Sequence, residues 1–108
     1  MLLNGGVSPA GRLISEATLQ QMRTPQVSED IMPGEERWGL GVRVITKESY
    51  GDLPVGTFGW SGAYGTHFWV DPKNEIAAVF MRNSLYDGGS GSRTSREFEK
   101  AVHAALEE

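Results

Sequence analysis

The stretch from Gly56 to Asn83, GTFGWSGAYGTHFWVDPKNEIAAVFMRN, limits what this chain can fold into more than any other part of it. Phe58, Trp60, Phe68, Trp69, Val70, Ile76, Val79 and Phe80 supply the aromatic and β-branched bulk that a pleated, half-buried surface favours. Asp71-Pro72-Lys73-Asn74 is a turn sequence between two such runs, so successive antiparallel strands are predicted. Gly59, Gly62 and Gly65 interrupt the pattern. Glycine weakens a strand interior unless a bulge, or the close approach of a ligand or another backbone, calls for it. Their density here points to a place where space is needed, and so to a site.

Around this centre the chain reads as helix, strands, helix. Met1-Leu2-Leu3-Asn4-Gly5-Gly6 has the stop residues of a helix end and hardly any helix before them, as if earlier turns were missing. Val7 to Leu13, with Pro9 and Gly11, reads as a loop. Ser15 is placed to cap a short helix over about Glu16–Arg23, with Leu19 and Met22 on one face and Pro25 limiting its extent. Thr24 to Arg37 is polar and holds Pro25 and Pro33, a loop or flap. Trp38 to Ile45 alternates, with Trp38, Leu40, Val42 and Val44 on one side and Gly39, Gly41 and Arg43 on the other, as a half-buried strand does.

Beyond the polar connection Thr46–Val55, strands are predicted over Thr57–Ala63, Thr66–Asp71 and Glu75–Asn83. Tyr86 to Ser92 is rich in Gly and Ser and is expected to be mobile. Thr94-Ser95-Arg96-Glu97 fits a capping box for a helix over Ser95–Glu107. Its apolar stripe would be Phe98, Ala101, Val102, Ala105 and Leu106, leaving Glu99, Lys100, His103 and Glu107 outward.

The fold class that follows is α+β: an antiparallel meander of three to four strands, a short N-terminal helix, and a C-terminal helix packed on one face. A chain of 108 residues fits a single domain, and one of this size buries roughly two-thirds of its unfolded surface, enough for a core without staples. The most apolar strand, Glu75–Asn83, would have a neighbour on only one side. Its open edge would invite a second copy, or a missing N-terminal segment, to pair there.

Composition removes several classes of function. Without cysteine there is neither a disulfide framework nor thiolate chemistry. A net charge of −4 offers no basic footprint for nucleic acid. No apolar run approaches the roughly 20 residues of a membrane-spanning helix, and Met1-Leu2-Leu3 lacks the form of a signal peptide, so the compartment stays open. Two histidines without H-x-x-x-H spacing argue against a zinc site, and Asp87-Gly88-Gly89-Ser90-Gly91 lacks the spacing of a calcium loop, so no metal or cofactor is expected. Gly88–Ser92 precedes a helix but has no P-loop lysine, and a linker into a capped helix explains it as well.

Gly59-Trp60-Ser61-Gly62-Ala63 nearly spells the G-x-S-x-G elbow of serine hydrolases, but Ala63 stands at the last glycine and strand, not helix, follows. His67 has no evident carboxylate to orient it, and His103 falls on the expected solvated face of the last helix. A nucleophilic triad on Ser61 is therefore not expected.

The order of segments resembles the C-terminal part of the serine β-lactamase-like family, which groups class C β-lactamases, D-Ala-D-Ala peptidases and family VIII esterases. The residues that carry the likeness are Met1-Leu2-Leu3-Asn4-Gly5-Gly6, Leu13 to Met22, and Trp38-Gly39-Leu40-Gly41-Val42. It is sharpest at Gly56 to Thr66 with Phe68-Trp69-Val70-Asp71-Pro72. The resemblance implies a partial β-lactamase/transpeptidase-like fold of bacterial type. It also implies that Trp60-Ser61-Gly62 is the W-x-G form of the third active-site motif, on a strand walling a substrate cleft.

By that likeness Trp60, Ser61, Gly62 and Tyr64 line the cleft, and the Ala63 backbone N–H is an oxyanion donor. Such a donor is worth about 3–4 kcal/mol in the transition state. Gly62 keeps the strand clear for an acyl substrate, and Ser61 would offer a hydroxyl to its polar atoms. Trp60 in place of a cation leans toward esters or apolar acyl groups; without the likeness it reads as a core or cross-strand aromatic.

No serine here has a lysine three places on, and Tyr50, Tyr64 and Tyr86 are followed two places on by Asp52, Thr66 and Gly88. The family's S-x-x-K and Y-x-N motifs are thus both missing. The expectation is a C-terminal segment of an esterase-like hydrolase of esters or β-lactams, inactive alone, with a small-molecule acyl substrate only in the complete enzyme. The alternatives are a non-catalytic α+β module that pairs through its open strand edge, and an evolved pseudo-enzyme.

Overall fold

The computed structural model describes residues 1–106. Its centre is a five-stranded antiparallel sheet in sequential order, β3-β4-β5-β6-β7, made of β3 (Glu36–Trp38), β4 (Arg43–Ile45), β5 (Phe58–Ser61), β6 (His67–Asp71) and β7 (Ile76–Phe80). Ahead of it lie β1 (Val7–Ser8) and β2 (Gly11–Arg12), a two-stranded sheet in place of the expected loop, and α1 (Glu16–Met22). Helix α2 (Arg93–Leu106) closes the chain. The α+β class and the antiparallel meander stand, with one strand more than expected.

The extra strand comes from a misread alternation. Trp38 to Ile45 is not one strand but the hairpin β3–β4, because Gly39 and Gly41 turn the chain between its halves. The Gly39 N–H donates to the Val42 carbonyl at 2.8 Å, and Gly41 sits at φ 74°. Leu40, expected inward, is therefore at the exposed turn. Gly39 also has a packing reason: a Cβ there would collide with the Met22 carbonyl at the end of α1.

The sheet's two faces are covered by different helices, which corrects the expectation of packing on one face. Leu19 of α1 joins Val42, Val44, Phe58 and Val70. On the other face Phe98 and Val102 of α2 pack against Ile45, Leu53, Trp69 and Ala78. Trp69 and Val70 are consecutive in β6, and consecutive strand residues point to opposite faces. A strand central to the sheet can be apolar on both, and β6 is.

Local signals account for most boundaries. The Ser15 hydroxyl caps α1 by accepting the Thr18 N–H at 3.0 Å. The β6–β7 turn is built on Asp71, whose carboxylate accepts the backbone N–H groups of Lys73 at 3.0 Å and Asn74 at 3.1 Å. Helix α2 starts earlier than its capping box suggested: Ser92, not Thr94, caps it, accepting the Ser95 N–H at 3.2 Å. Thr94 instead donates its N–H and its hydroxyl to Asp87. Met1 to Gly6, expected as a helix end, is a set of turns, and Glu107 lies outside the described residues.

The inward face of α2 differs from the apolar stripe. Ser95 and Glu99 are buried and Phe98 and Val102 half-buried, while Ala101, Ala105 and Leu106 are exposed. Helical spacing of three and four residues puts Ser95, Phe98, Glu99 and Val102 on one face. A carboxylate belongs to that face because of what it meets in the sheet.

Candidate functional site

At the end of β5 the chain reverses through a tight turn and returns as β6, with Ser61 and His67 as the last cross-strand pair. The turn is closed by the Gly62 N–H donating to the Thr66 carbonyl at 2.6 Å, and the Gly65 N–H to that of Gly62 at 3.0 Å. Gly65 has φ 90°, a region open to glycine at no steric cost. Gly62, Ala63 and Tyr64 lie on the exposed surface of this turn, and Trp60 just before it is 39% exposed. The Trp60 ring leans on that of Trp38, centroids 4.4 Å apart. Among the described residues no acceptor meets the Ala63 N–H.

Ser61 faces the other way. It is 5% exposed, and its hydroxyl lies 2.7 Å from Nδ1 of His67, a side chain 1% exposed. So the hydroxyl expected to meet polar substrate atoms meets an imidazole beneath the sheet. On the far side of that ring, Nε2 of His67 lies 2.7 Å from Oε1 of Glu99. The carboxylate that the sequence did not reveal is therefore Glu99, expected outward and found inside. Arg43 binds the same Oε1 through Nη2 at 2.9 Å and Glu36 through Nη1 at 2.8 Å. Arg96 reaches Oε2 of Glu99 at 3.3 Å.

The charges decide how this network is protonated. Burial alone pushes the Glu99 carboxyl up. The hydrogen bond from His67 and the charges of Arg43 and Arg96 outweigh it and hold the group below its ordinary value. An ionised carboxylate only accepts, so His67 donates its Nε2–H to Glu99. The other ring nitrogen, Nδ1, meets the Ser61 hydroxyl, a group able to donate or accept, so every polar atom along the line has a partner.

A hydroxyl, an imidazole and a carboxylate in hydrogen-bonded series have the connectivity of a nucleophile, its base and its orienter. Here the series is closed to substrate. The segment after β7 lies over it: the Ser90 hydroxyl donates to the Ser61 carbonyl at 3.3 Å, and a Cβ on Gly89 would strike the Ala63 carbonyl. That segment is held in turn by Asp87, which pairs with Arg82 at 2.5 Å and with Thr94. The Thr94 hydrogen bond and the Arg82 charge keep Asp87 far below the usual carboxylate range. The expected mobile linker is thus tied at several points. A cavity of about 460 Å³ lies elsewhere, lined by Glu48, Asp52, Leu53, Lys73, His103 and Leu106 among others.

The family model described as Beta-lactamase matches residues 3–101. The chain belongs to the Beta-lactamase family. Two curated relatives from Mycobacterium tuberculosis match this Beta-lactamase-family chain, Protein Rv1367c of strain H37Rv and Uncharacterized protein MT1414 of strain CDC 1551. Each is 28% identical over an alignment 95 residues long that covers 75% of this chain and 24% of the relative. Among solved structures, EstCE1, a hydrolase with promiscuous acyltransferase activity, superposes with a TM-score of 0.75 at 27% identity, covering 94% of this chain and 26% of that one. Simvastatin synthase LovD from Aspergillus terreus, in its LovD9 mutant form, superposes at 0.70 with 19% identity, covering 98% and 32%. The Beta-lactamase-family chain therefore matches part of a fold carried by a hydrolase with acyltransferase activity, and spans about a quarter of the length of the curated relatives.

Proposed function

We propose that this chain is the C-terminal segment of an esterase-like serine hydrolase of the Beta-lactamase family, acting on a small-molecule ester or β-lactam. It contributes the Trp60-Ser61-Gly62 strand and lacks a nucleophile of its own. The observation that carries this reading is the exposed Trp60 beside a turn whose Ala63 amide meets no acceptor among the described residues. A backbone N–H held free on a rigid hairpin is the kind of donor that stabilises the oxyanion of acyl transfer. Trp60 and Tyr64 supply an apolar wall for the acyl group, and Gly62 leaves the strand open beside it. Ser61 supports the strand from beneath, through His67. The likeness to EstCE1, a hydrolase with promiscuous acyltransferase activity, supports acyl chemistry.

Turnover of nitrophenyl esters and of a chromogenic β-lactam is the test, on this chain alone and joined to an upstream segment bearing S-x-x-K and Y-x-N. Activity is expected only in the joined form. Robust turnover by the chain alone, abolished in Ser61→Ala, would overturn the assignment.

A second reading rests on β7. This strand ends the sheet order, and Val79 and Met81 are exposed along and just beyond it. An unpaired apolar edge accepts another strand, so Glu75–Asn83 is the proposed contact for an upstream segment or a second copy. Concentration-dependent light scattering separates the occupants: dimer formation by the chain alone favours the second copy.

A further inference from the structure

We infer that Ser61, His67 and Glu99 form a positioning relay, through which α2 sets the conformation of the Gly62-Ala63-Tyr64 turn. The inference rests on the reading above in one respect, that this turn faces the acyl substrate. The relay's geometry does not depend on it.

Three observations combine. Ser61 and His67 are the closing pair of the β5–β6 hairpin, so their side-chain bond of 2.7 Å lies directly beneath the turn. The ring of His67 is held from its other nitrogen by Glu99 at 2.7 Å. Glu99 is itself fixed by Arg43 from β4 and by Arg96 from its own helix. A chain of hydrogen bonds, charge-assisted where it meets Glu99, thus runs from β4 and α2 into the last residue before Gly62, with every member inside the protein except the outer part of Arg96.

The turn above is also tied by backbone bonds, Gly62 N–H to the Thr66 carbonyl at 2.6 Å and Ser84 N–H to the Tyr64 carbonyl at 2.8 Å, and the relay adds the side-chain support that reaches it from α2. Gly62, Ala63 and Tyr64 are exposed, and Gly62 and Gly65 add backbone freedom. A hydrogen-bond donor acts on a developing oxyanion only while it is held in place, since small displacements cost rate. Burial of a serine, a histidine and a glutamate in a small domain is costly unless all are paired. Here the pairing fixes one end of the turn that the proposed chemistry uses. None of the relay residues touches substrate in this account; they act through Gly62 and Ala63.

The experiment has two arms. In the first, backbone amide exchange is measured by NMR on the 108-residue chain, with Ser61→Ala, Ser61→Thr and Glu99→Gln. In Ser61→Ala and Glu99→Gln, exchange at the Gly62 and Gly65 amides is expected to rise about tenfold, while Val70 and Ala78 keep their rates. Ser61→Thr restores the hydroxyl and should stay within about twofold of the parent. Unchanged exchange at Gly62 and Gly65, or an equal rise throughout the sheet, would overturn the relay. The Ser61 pair keeps the test open even if Glu99→Gln fails to fold.

In the second arm the same variants are placed in the joined hydrolase. There Ser61→Ala is expected to lower kcat about tenfold with KM nearly constant, and Ser61→Thr to recover it. A joined protein with no turnover in its parent form would refute the proposed function while amide exchange still decides the relay. A parent that turns over, with kcat unmoved by Ser61→Ala, would refute the positioning role.

Discussion

Arg43 Nη2 lies 2.9 Å from Oε1 of Glu99, joining a residue of β4 to a residue of α2 across 56 positions of sequence. Both side chains are 5% exposed, so each charge depends on the other for its solvation. A buried pair of this kind is weak evidence of net stability. Breaking it from one side is another matter, because a charge is then left alone.

Glu99→Ala should accordingly lose about 3–5 kcal/mol in urea unfolding. A domain of this size has roughly 5–15 kcal/mol in total, so the variant should be marginal at room temperature. Arg43→Met combined with Glu99→Leu should be more stable than Glu99→Ala, since no buried charge remains unpaired: Glu36 and Arg96, which lose these partners, both reach solvent. It should not reach the parent, because the Nε2–H of His67 loses its acceptor, at about 1–3 kcal/mol.

The pH dependence follows from the same carboxylate. Glu99 is held below its ordinary value in the folded chain by His67, Arg43 and Arg96, against the opposing effect of burial. The unfolded chain therefore binds more protons in acid, and stability falls with pH. The contribution is fully present above the ordinary glutamate pKa of about 4.3 and disappears as pH drops through the lower folded value. Asp87, held down by Thr94 and Arg82, acts in the same direction. The urea midpoint should be level through neutral pH and fall below about pH 4, with a shallower fall in Glu99→Gln. A midpoint rising on acidification would contradict this.

The aromatic pair on the open surface gives a more modest effect. Trp38 and Trp60 have ring centroids 4.4 Å apart at an interplanar angle of 48°. Trp38→Ala and Trp60→Ala should each destabilise, and a double-mutant cycle should show a coupling of about 0.5–1.5 kcal/mol. In the joined hydrolase Trp60→Ala should also raise KM for long acyl chains more than for acetyl. Equal effects on both would remove Trp60 from the acyl wall.

How much of this was legible depends on the kind of signal each element gives. Strands β5 to β7 declare themselves through aromatic and β-branched residues and through Asp71-Pro72-Lys73-Asn74, whose turn chemistry is local. Strand β3 does not: Glu36-Arg37-Trp38 is short, polar and at the sheet's edge, and only its pairing with β4 reveals it. Glu99 was misplaced because an amphipathic reading sorts residues by hydropathy, and a carboxylate buried against His67 and Arg43 looks solvated on that scale. Its helical spacing with Ser95, Phe98 and Val102 was a usable clue, with only two histidines in the chain to pair against. The Trp60–Tyr64 candidate came from likeness to a family, since nothing in its periodicity sets it apart from a core strand.

Two glycines in the same strand-to-turn segment separate folding from function. A Cβ on Gly59 would meet the carbonyl oxygen of Phe68 and would lie 2.7 Å from Cα of Trp69, both backbone atoms of the paired strand β6. Neither can retreat without opening the ladder, so Gly59→Ala should cost about 1–3 kcal/mol or more. A Cβ on Gly62 would find only Thr66, with its Cβ at 3.5 Å and its carbonyl oxygen at 3.7 Å, ordinary contact distances. Gly62→Ala should therefore keep the parent's urea midpoint. In the joined hydrolase it should nonetheless lose turnover, because the added methyl stands where the acyl group is proposed to lie. Thermal or urea unfolding of both variants, beside nitrophenyl ester kinetics of the second, checks the pair. Full activity in Gly62→Ala would remove the turn from the substrate cleft, and parental stability in Gly59→Ala would contradict the tight β5–β6 packing on which the site is built.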